Sequence, residues 1–159
     1  MKLHPSSMFG RDMAKTTRMG RRRPRRGTLS LDEALIALFI GGMNANDHVA
    51  PDEAARAHHL IWSTRRFRRK SGETVGKLIE DMREFVGTSD PRVVIGRASR
   101  VIPARLRSPA FAVLVDLLLA DGKLEGKERR FLREVGSDLK LKPETVQQIL
   151  DVVVLKNQL

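Results

Sequence analysis

The chain has no cysteine, no tyrosine, a single tryptophan and no long apolar run. Without cysteine there can be no disulfides, thiolate metal ligands, iron–sulfur ligation or cysteine nucleophiles. With so few aromatic residues, the core has to be built mainly from Leu, Val, Ile, Ala and Met, a composition that favours helices. No run of about 18 apolar residues occurs, so the sequence predicts no transmembrane segment.

Basic residues are abundant and unevenly distributed. The formal net charge is +11 over 159 residues, and residues 1–29 hold +8 of it, because they carry nine Lys or Arg against one acid, Asp12. This segment mixes Gly, Pro, Ser and Arg without sustained apolar periodicity, so we predict a disordered basic tail over 1–29. The remaining length fits one folded domain, expected over 30–159.

Apolar residues of the second segment recur with helical spacing, and capping residues mark where helices begin. The first predicted helix is apolar nearly all round and should be central in the core. No stretch alternates like a strand, so the pattern predicts an all-α bundle of about seven helices with mostly antiparallel neighbours. The first predicted helix covers 31–45 behind a capping box of Ser30 and Glu33, the second 51–67, the third Ser71 to Gly87 and the fourth Asp90 to Pro103. The fifth begins at Ser108 and Pro109, the sixth covers 126–139, and the seventh begins at Pro143.

An internal repeat is present in the helical region. Residues 36–53 align with 111–128 without a gap, so that apolar positions match and Glu53 pairs with Glu128. The stretch "ANDHVAPDE" is thus a second copy of "ADGKLEGKE". The matched loop length and terminal Glu favour duplication over shared periodicity alone, and the bundle is predicted to contain two related helical hairpins.

The second copy carries a family resemblance. Its turn, Ala120, Asp121, Gly122, Leu124 and Glu128, is followed by "RRFLREV". The sequence here resembles the tellurite-resistance TerB-like family, small all-helical domains with an "ADG-x-(I/L)-x-x-x-E" turn between two helices, over about residues 33–155. The resemblance implies a seven-helix TerB-like bundle, a bacterial cytoplasmic setting, a stress- or metal-response system, and acidic residues that bind a divalent cation.

Two interpretations of the acidic turns remain open. In the first, Asp121 and Glu128 bind a hard cation, with Ca²⁺ the expected ion, and Asp47 and Glu53 of the upstream copy complete the metal site. The upstream copy departs from the family pattern, however, because Asn46 replaces the acid and Asp47 the glycine. In the second, the turn closes one helix and Glu128 stabilises the positive start of the next.

Asp116 is a separate feature, because it lies within the apolar run "LVDLLLA". A carboxylate in such a helix needs a partner to offset its desolvation. We expect an Arg side chain or the N–H groups of a helix end to supply one, and a shared metal ion is the remaining alternative.

Two arginine-rich segments, "RRRPRRG" and "RRFRRK", are the strongest electrostatic features. Such segments attract nucleic acid or an anionic membrane surface without reading sequence. The alternative is a solubilising tail and a solvated helix end. Only Trp62 and Phe67 lie near the second segment, so base stacking is not predicted. The candidate residues are Arg21, Arg22, Arg23, Arg25, Arg26, Arg65, Arg66, Arg68 and Arg69.

No catalytic motif is present. The sequence contains no phosphate-binding glycine loop, nucleophile elbow or histidine spacing typical of a metal site, and no enzyme is predicted. We therefore expect a non-enzymatic TerB-like binding or scaffold module that acts on protein partners in the cytoplasm. The alternative is a basic adaptor that docks on nucleic acid or an anionic membrane through its Arg-rich tail.

Overall fold

A computed structural model describes residues 27–45, 51–119 and 124–159, with the side chains of 51–53 left out. Every regular element in these ranges is an α-helix, and the predicted seven-helix, all-α fold is confirmed. The predicted disorder of 1–29 falls almost wholly on residues outside this description. The helices are α1 Leu31–Asn44, α2 Pro51–Ser63, α3 Gly72–Gly87, α4 Pro91–Val101, α5 Ala104–Leu118, α6 Gly126–Asp138 and α7 Pro143–Lys156.

Helix α1 is the centre of the bundle, as its all-round apolar sequence predicts. Residues 34–42 are all buried, and α1 contacts α3, α4 and α5. Gly42 permits the close approach to α5, because a Cβ at this position would overlap Cδ1 of Leu114. The core also includes Leu29, which is only 6% exposed. The packed structure therefore begins before Ser30.

Local capping chemistry sets three of the helix starts where the sequence places them. At α1, the Ser30 hydroxyl accepts the Glu33 N–H at 3.2 Å, and the Glu33 carboxylate accepts the Ser30 N–H at 2.8 Å. The hydroxyl of Ser71 caps α3 and the carboxylate of Asp90 caps α4. Each cap satisfies an N–H that has no partner within its own helix.

Two predicted boundaries are wrong. Helix α5 begins at Ala104 rather than at Ser108, so Pro109 lies inside the helix. The proline leaves the Arg105 carbonyl without its helical donor, but Arg105 is exposed and water can take that place. Helix α2 ends at Ser63, and residues 64–70 form hydrogen-bonded turns instead of continuing it to Phe67.

The two hairpins that the repeat predicts correspond to α1–α2 and α5–α6. Helix α5 packs against α6, whereas the main contacts of α2 are with α3 and α5 rather than with α1. Helices α2 and α6 each have 13 residues, and they begin at Pro51 and Gly126, two positions that the repeat aligns. Glu53 and Glu128 are each the third residue of their helix. The corners themselves, 46–50 and 120–123, lie outside the described residues.

Candidate functional site

Of the four predicted metal ligands, the structure describes one carboxylate, that of Glu128. Asp47 and Asp121 lie outside the described residues, and so does the side chain of Glu53. The Glu128 Oε2 atom accepts the backbone N–H of Glu125 at 3.0 Å. This bond satisfies one of the free N–H groups at the start of α6, as in a capping box. Glu128 thus has a structural role in the helix, which the second interpretation of the acidic turn anticipates.

The donor set of the acidic corners is chemically suited to a hard cation, since all four predicted ligands are carboxylates. Within residues 27–45, 54–119 and 124–159, no three His, Asp or Glu side chains are grouped so that they could hold a metal ion. Any metal at the corners would therefore need Asp121 or the upstream acids beside Glu128.

Asp116, on α5, binds side chains at the end of α7 and so links the two helices. Its carboxylate accepts the Lys156 ammonium at 2.5 Å and the Asn157 side-chain amide at 2.9 Å. The expected helix-end N–H is not the partner, because the hydrogen bonds come from the side chains of Lys156, the last residue of α7, and of its C-cap Asn157. Arg56 on α2 adds a further favourable charge interaction. The side chain is only 14% exposed, so its location within an apolar helix is explained by structure rather than by ligand binding.

The protonation of Asp116 reflects these partners. Partial burial raises the pKa of Asp116. The hydrogen bonds from Asn157 and Lys156 and the charge of Arg56 lower the pKa by a larger amount. The net pKa lies below the usual aspartate value. The carboxylate is consequently ionised at neutral pH, which the ion pair requires.

The basic turn, defined as residues Arg65–Lys70, is anchored to α1 by one acid. Asp32 in the first turn of α1 accepts the Arg66 guanidinium with one carboxylate oxygen and the Lys70 ammonium, at 3.0 Å, with the other. Burial raises the pKa of Asp32, but Lys70 and Arg66 outweigh that effect and hold it below the usual value. Phe67, 1% exposed, fixes the middle of the turn in the core.

The anchor divides the predicted basic residues into two groups. Arg66 is engaged by Asp32, whereas Arg65, Arg68 and Arg69 are exposed and make no ion pair within the described part of the chain. The predicted tail residues Arg21, Arg22, Arg23, Arg25 and Arg26 lie outside the described residues. Sequence inspection missed Asp32 as the partner, because the contact spans 34 positions and has no local signal.

The described residues define the class of this protein: a small all-helical domain of seven helices, with an anchored basic turn on its surface. The family model described as "Tellurite resistance protein TerB" matches residues 32–151, and the chain belongs to the TerB family. No curated protein and no solved structure matches the chain significantly. None of the described helices has the length and apolar character needed to cross a membrane.

Proposed function

We propose that this protein is a non-enzymatic binding or scaffold module of a bacterial tellurite- or metal-response system, acting on protein partners in the cytoplasm. Its membership of the TerB family supports the tellurite-resistance context. The observation that carries the proposal is the matching register of α2 and α6, which gives Glu53 and Glu128 the same third position in their helices.

In this proposal a divalent cation, Ca²⁺ first, binds at the acidic corners. Asp121 and Glu128 are the main ligands, and Asp47 and Glu53 are the candidates to complete the set. A hard cation prefers six to eight oxygen ligands, which carboxylates, loop carbonyls and water can supply together. Binding at both corners would couple the two hairpins and stabilise one arrangement of the surface offered to partners.

The competing explanation for Glu128 is the helix cap alone. A cap needs only a hydrogen-bond acceptor, so Glu128→Gln retains it through the amide oxygen while removing the charge that a cation requires. This substitution therefore separates the two roles. Paired with Asp121→Asn, it removes both main ligands at little cost to folding.

The test is calorimetric titration of Ca²⁺, Mg²⁺, Mn²⁺ and Zn²⁺ into the full chain. We expect saturable binding of at least one ion below about millimolar concentration, the weak end of protein Ca²⁺ sites, and its loss in the Asp121→Asn/Glu128→Gln variant. Asp138→Asn with Glu144→Gln is the matched control, because it removes two acids away from the corners and should leave binding intact. No saturable binding, or equal binding by both variants, would disprove the cation site.

A second candidate function is a basic adaptor that docks on a polyanion. The observation in its favour is the set of three exposed arginines, Arg65, Arg68 and Arg69, on a turn whose backbone is anchored by buried Phe67 and by the Asp32 ion pairs. Cations on an anchored backbone lose less conformational entropy on binding phosphate than those on an unanchored one. The two candidates differ in their salt dependence, because only polyanion docking should weaken steeply as salt rises.

A further inference from the structure

A groove of about 620 Å³ lies between the end of α6 and the start of α7. Its floor is apolar, because Val146 is buried, Leu141 is partly buried and Pro143 begins α7. Gly136 lets the two helices approach each other here, since a Cβ at that position would overlap a methyl group of Val146. The remaining side chains of the lining are polar or basic: Arg133, Ser137, Lys140, Lys142 and Gln147.

The charge of this groove is entirely positive. Arg133, Lys140 and Lys142 line it, and none of the three forms an ion pair within the described part of the chain. The acids nearest in sequence, Asp138 and Glu144, lie outside the lining. The positive excess is local, since the chain beyond residue 29 holds only +3 of the net +11. The groove therefore complements a negatively charged ligand.

The start of α7 adds to the positive potential. Lys142 is the N-cap residue, and its side chain offers no acceptor to the free N–H groups of the first turn. A lysine at the positive end of a helix dipole is unfavourable, and Glu144 in the first turn offsets only part of the effect. A carboxylate bound in the groove would offset the rest.

Lys140 occupies its place in the groove at a conformational cost. It follows α6 in the left-handed conformation, with φ of 56°, which glycine adopts more readily than any other residue. The Leu141 N–H bonds back to the Gly136 carbonyl at 2.9 Å and closes the helix in the way that commonly uses a glycine. Lys140→Gly should therefore favour the fold while it removes a cation from the groove.

An acidic segment of another protein fits this groove better than other polyanions do. Packed helices lie about 8–10 Å apart, so the groove between them admits an extended chain, whereas a bilayer surface is too flat and a duplex too wide to enter. No aromatic residue lines the groove, so unpaired bases have nothing to stack on. None of the large apolar side chains exposed on the described surface lines it either, which leaves no membrane anchor.

We propose that the α6–α7 groove is a docking site for an acidic peptide segment of a protein partner, with an apolar residue among its acids. Arg133, Lys140 and Lys142 contact the carboxylates of the segment, and the apolar residue packs on Leu141 and Val146. The inference deepens the proposed function and rests on it for the existence of a protein partner. It uses no residue of the acidic corners.

The experiment is an amide-resolved NMR titration of the full chain with pools of synthetic peptides, in the presence of a chelator so that the cation site stays empty. Peptides of about eight residues extend over about 26 Å, at about 3.3 Å per residue. The first pool places Asp or Glu around a varied apolar residue. A second pool replaces every acid by lysine, and a third replaces the apolar residue by serine.

We expect the acidic pool to cause saturable shift changes at residues 133–147, the serine pool to bind there more weakly, and the lysine pool not to bind. Because the readout is local, acidic peptides held by other basic segments do not obscure it. The Arg133→Gln/Lys142→Gln variant should raise the Kd measured at these amides by about five- to 25-fold, since an exposed ion pair is worth up to about fivefold in affinity.

The matched control is Lys77→Gln/Arg83→Gln. It removes one lysine and one arginine from exposed positions of α3, a helix whose main contacts are with α1 and α2. Its Kd should stay within about twofold of the wild type. Lys140→Gly should raise Tm by about 2–4 °C and still weaken binding, a combination that a purely structural role of Lys140 does not produce.

Three results would overturn the inference. The first is the absence of shift changes at 133–147, or an equal Kd in the two double variants. The second is equal binding of the acidic and serine pools, which would reduce the groove to a plain anion site. The third is binding at these amides of a single-stranded oligonucleotide or phosphatidylserine vesicles without binding of the peptides. The calorimetric cation titration is independent of all three, so failure of either proposal is recognised separately.

Discussion

Replacing Asp116 with alanine should loosen α7 from α5 and lower the free energy of unfolding by about 1–3 kcal/mol. The bond from Asn157 ends on a charged acceptor, a type that contributes about 1.5–3 kcal/mol. The Lys156 pair adds at most about 1 kcal/mol, because Lys156 is 57% exposed and screened by solvent. Against these losses, alanine improves helix propensity by roughly 0.5 kcal/mol. Asn157 also keeps its bond to the Val153 carbonyl.

Urea unfolding followed by circular dichroism measures this loss directly. For a chain of this size it corresponds to a fall in Tm of about 3–9 °C. Asp151→Ala is the control, since Asp151 is exposed and bonds only to Gln147 within α7. That change should stay within about 0.5 kcal/mol. A loss at Asp116 no larger than the control would refute the role of the α5–α7 contact.

The same contact predicts a pH dependence. The pKa of Asp116 is lower in the folded chain than in the unfolded one, so its stabilisation is fully present above the unfolded pKa of about 3.9. That stabilisation is lost as the pH falls through the folded pKa. The stability gap between the wild type and Asp116→Asn should therefore be constant near neutrality and close below about pH 4. A gap that persists in strong acid would contradict this assignment.

Two further predictions concern packing. Phe67→Ala should cost about 3–5 kcal/mol in urea unfolding, because the ring is fully buried and its removal leaves a cavity under the basic turn; a loss below about 1 kcal/mol, the usual effect of a surface change, would contradict this. Gly136→Ala should lower Tm, because the new Cβ would lie 2.5 Å from a methyl group of Val146, which is buried and β-branched. Gly76→Ala should raise the free energy of unfolding by up to about 1 kcal/mol, because the space around Gly76 is open and alanine favours the helix. Equal changes in stability at the two glycines would show that helix propensity alone determines the result and that the contact with Val146 does not matter.

Features with a local cause could be predicted from the sequence. Ser30, Ser71 and Asp90 mark helix starts correctly, because each side chain satisfies an N–H only two or three residues away. Residues 34–42 are apolar on every face of their helix, so no face favours contact with water. This local pattern predicts that the helix is central. The matching first residues of α2 and α6 likewise follow from a repeat visible in the residues themselves.

Features with a distant cause could not be predicted. Asp116 finds Lys156 and Asn157 about 40 positions later, and no local pattern selects them over an arginine. The end of α2 depends on Asp32 and on the burial of Phe67, both set by tertiary packing. At α5, the "RSP" start signal is overridden because the chain already turns into a helix after Pro103. The exposed group of three arginines follows from these same distant contacts.

The most direct test of the central claim is an amide-resolved NMR titration of the full chain with Ca²⁺. The proposed function predicts saturable shift changes concentrated at 45–53 and 120–128 together, and their loss in the Asp121→Asn/Glu128→Gln variant. Changes confined to other regions, or none up to about millimolar Ca²⁺, would contradict a cation site shared by the two hairpin corners.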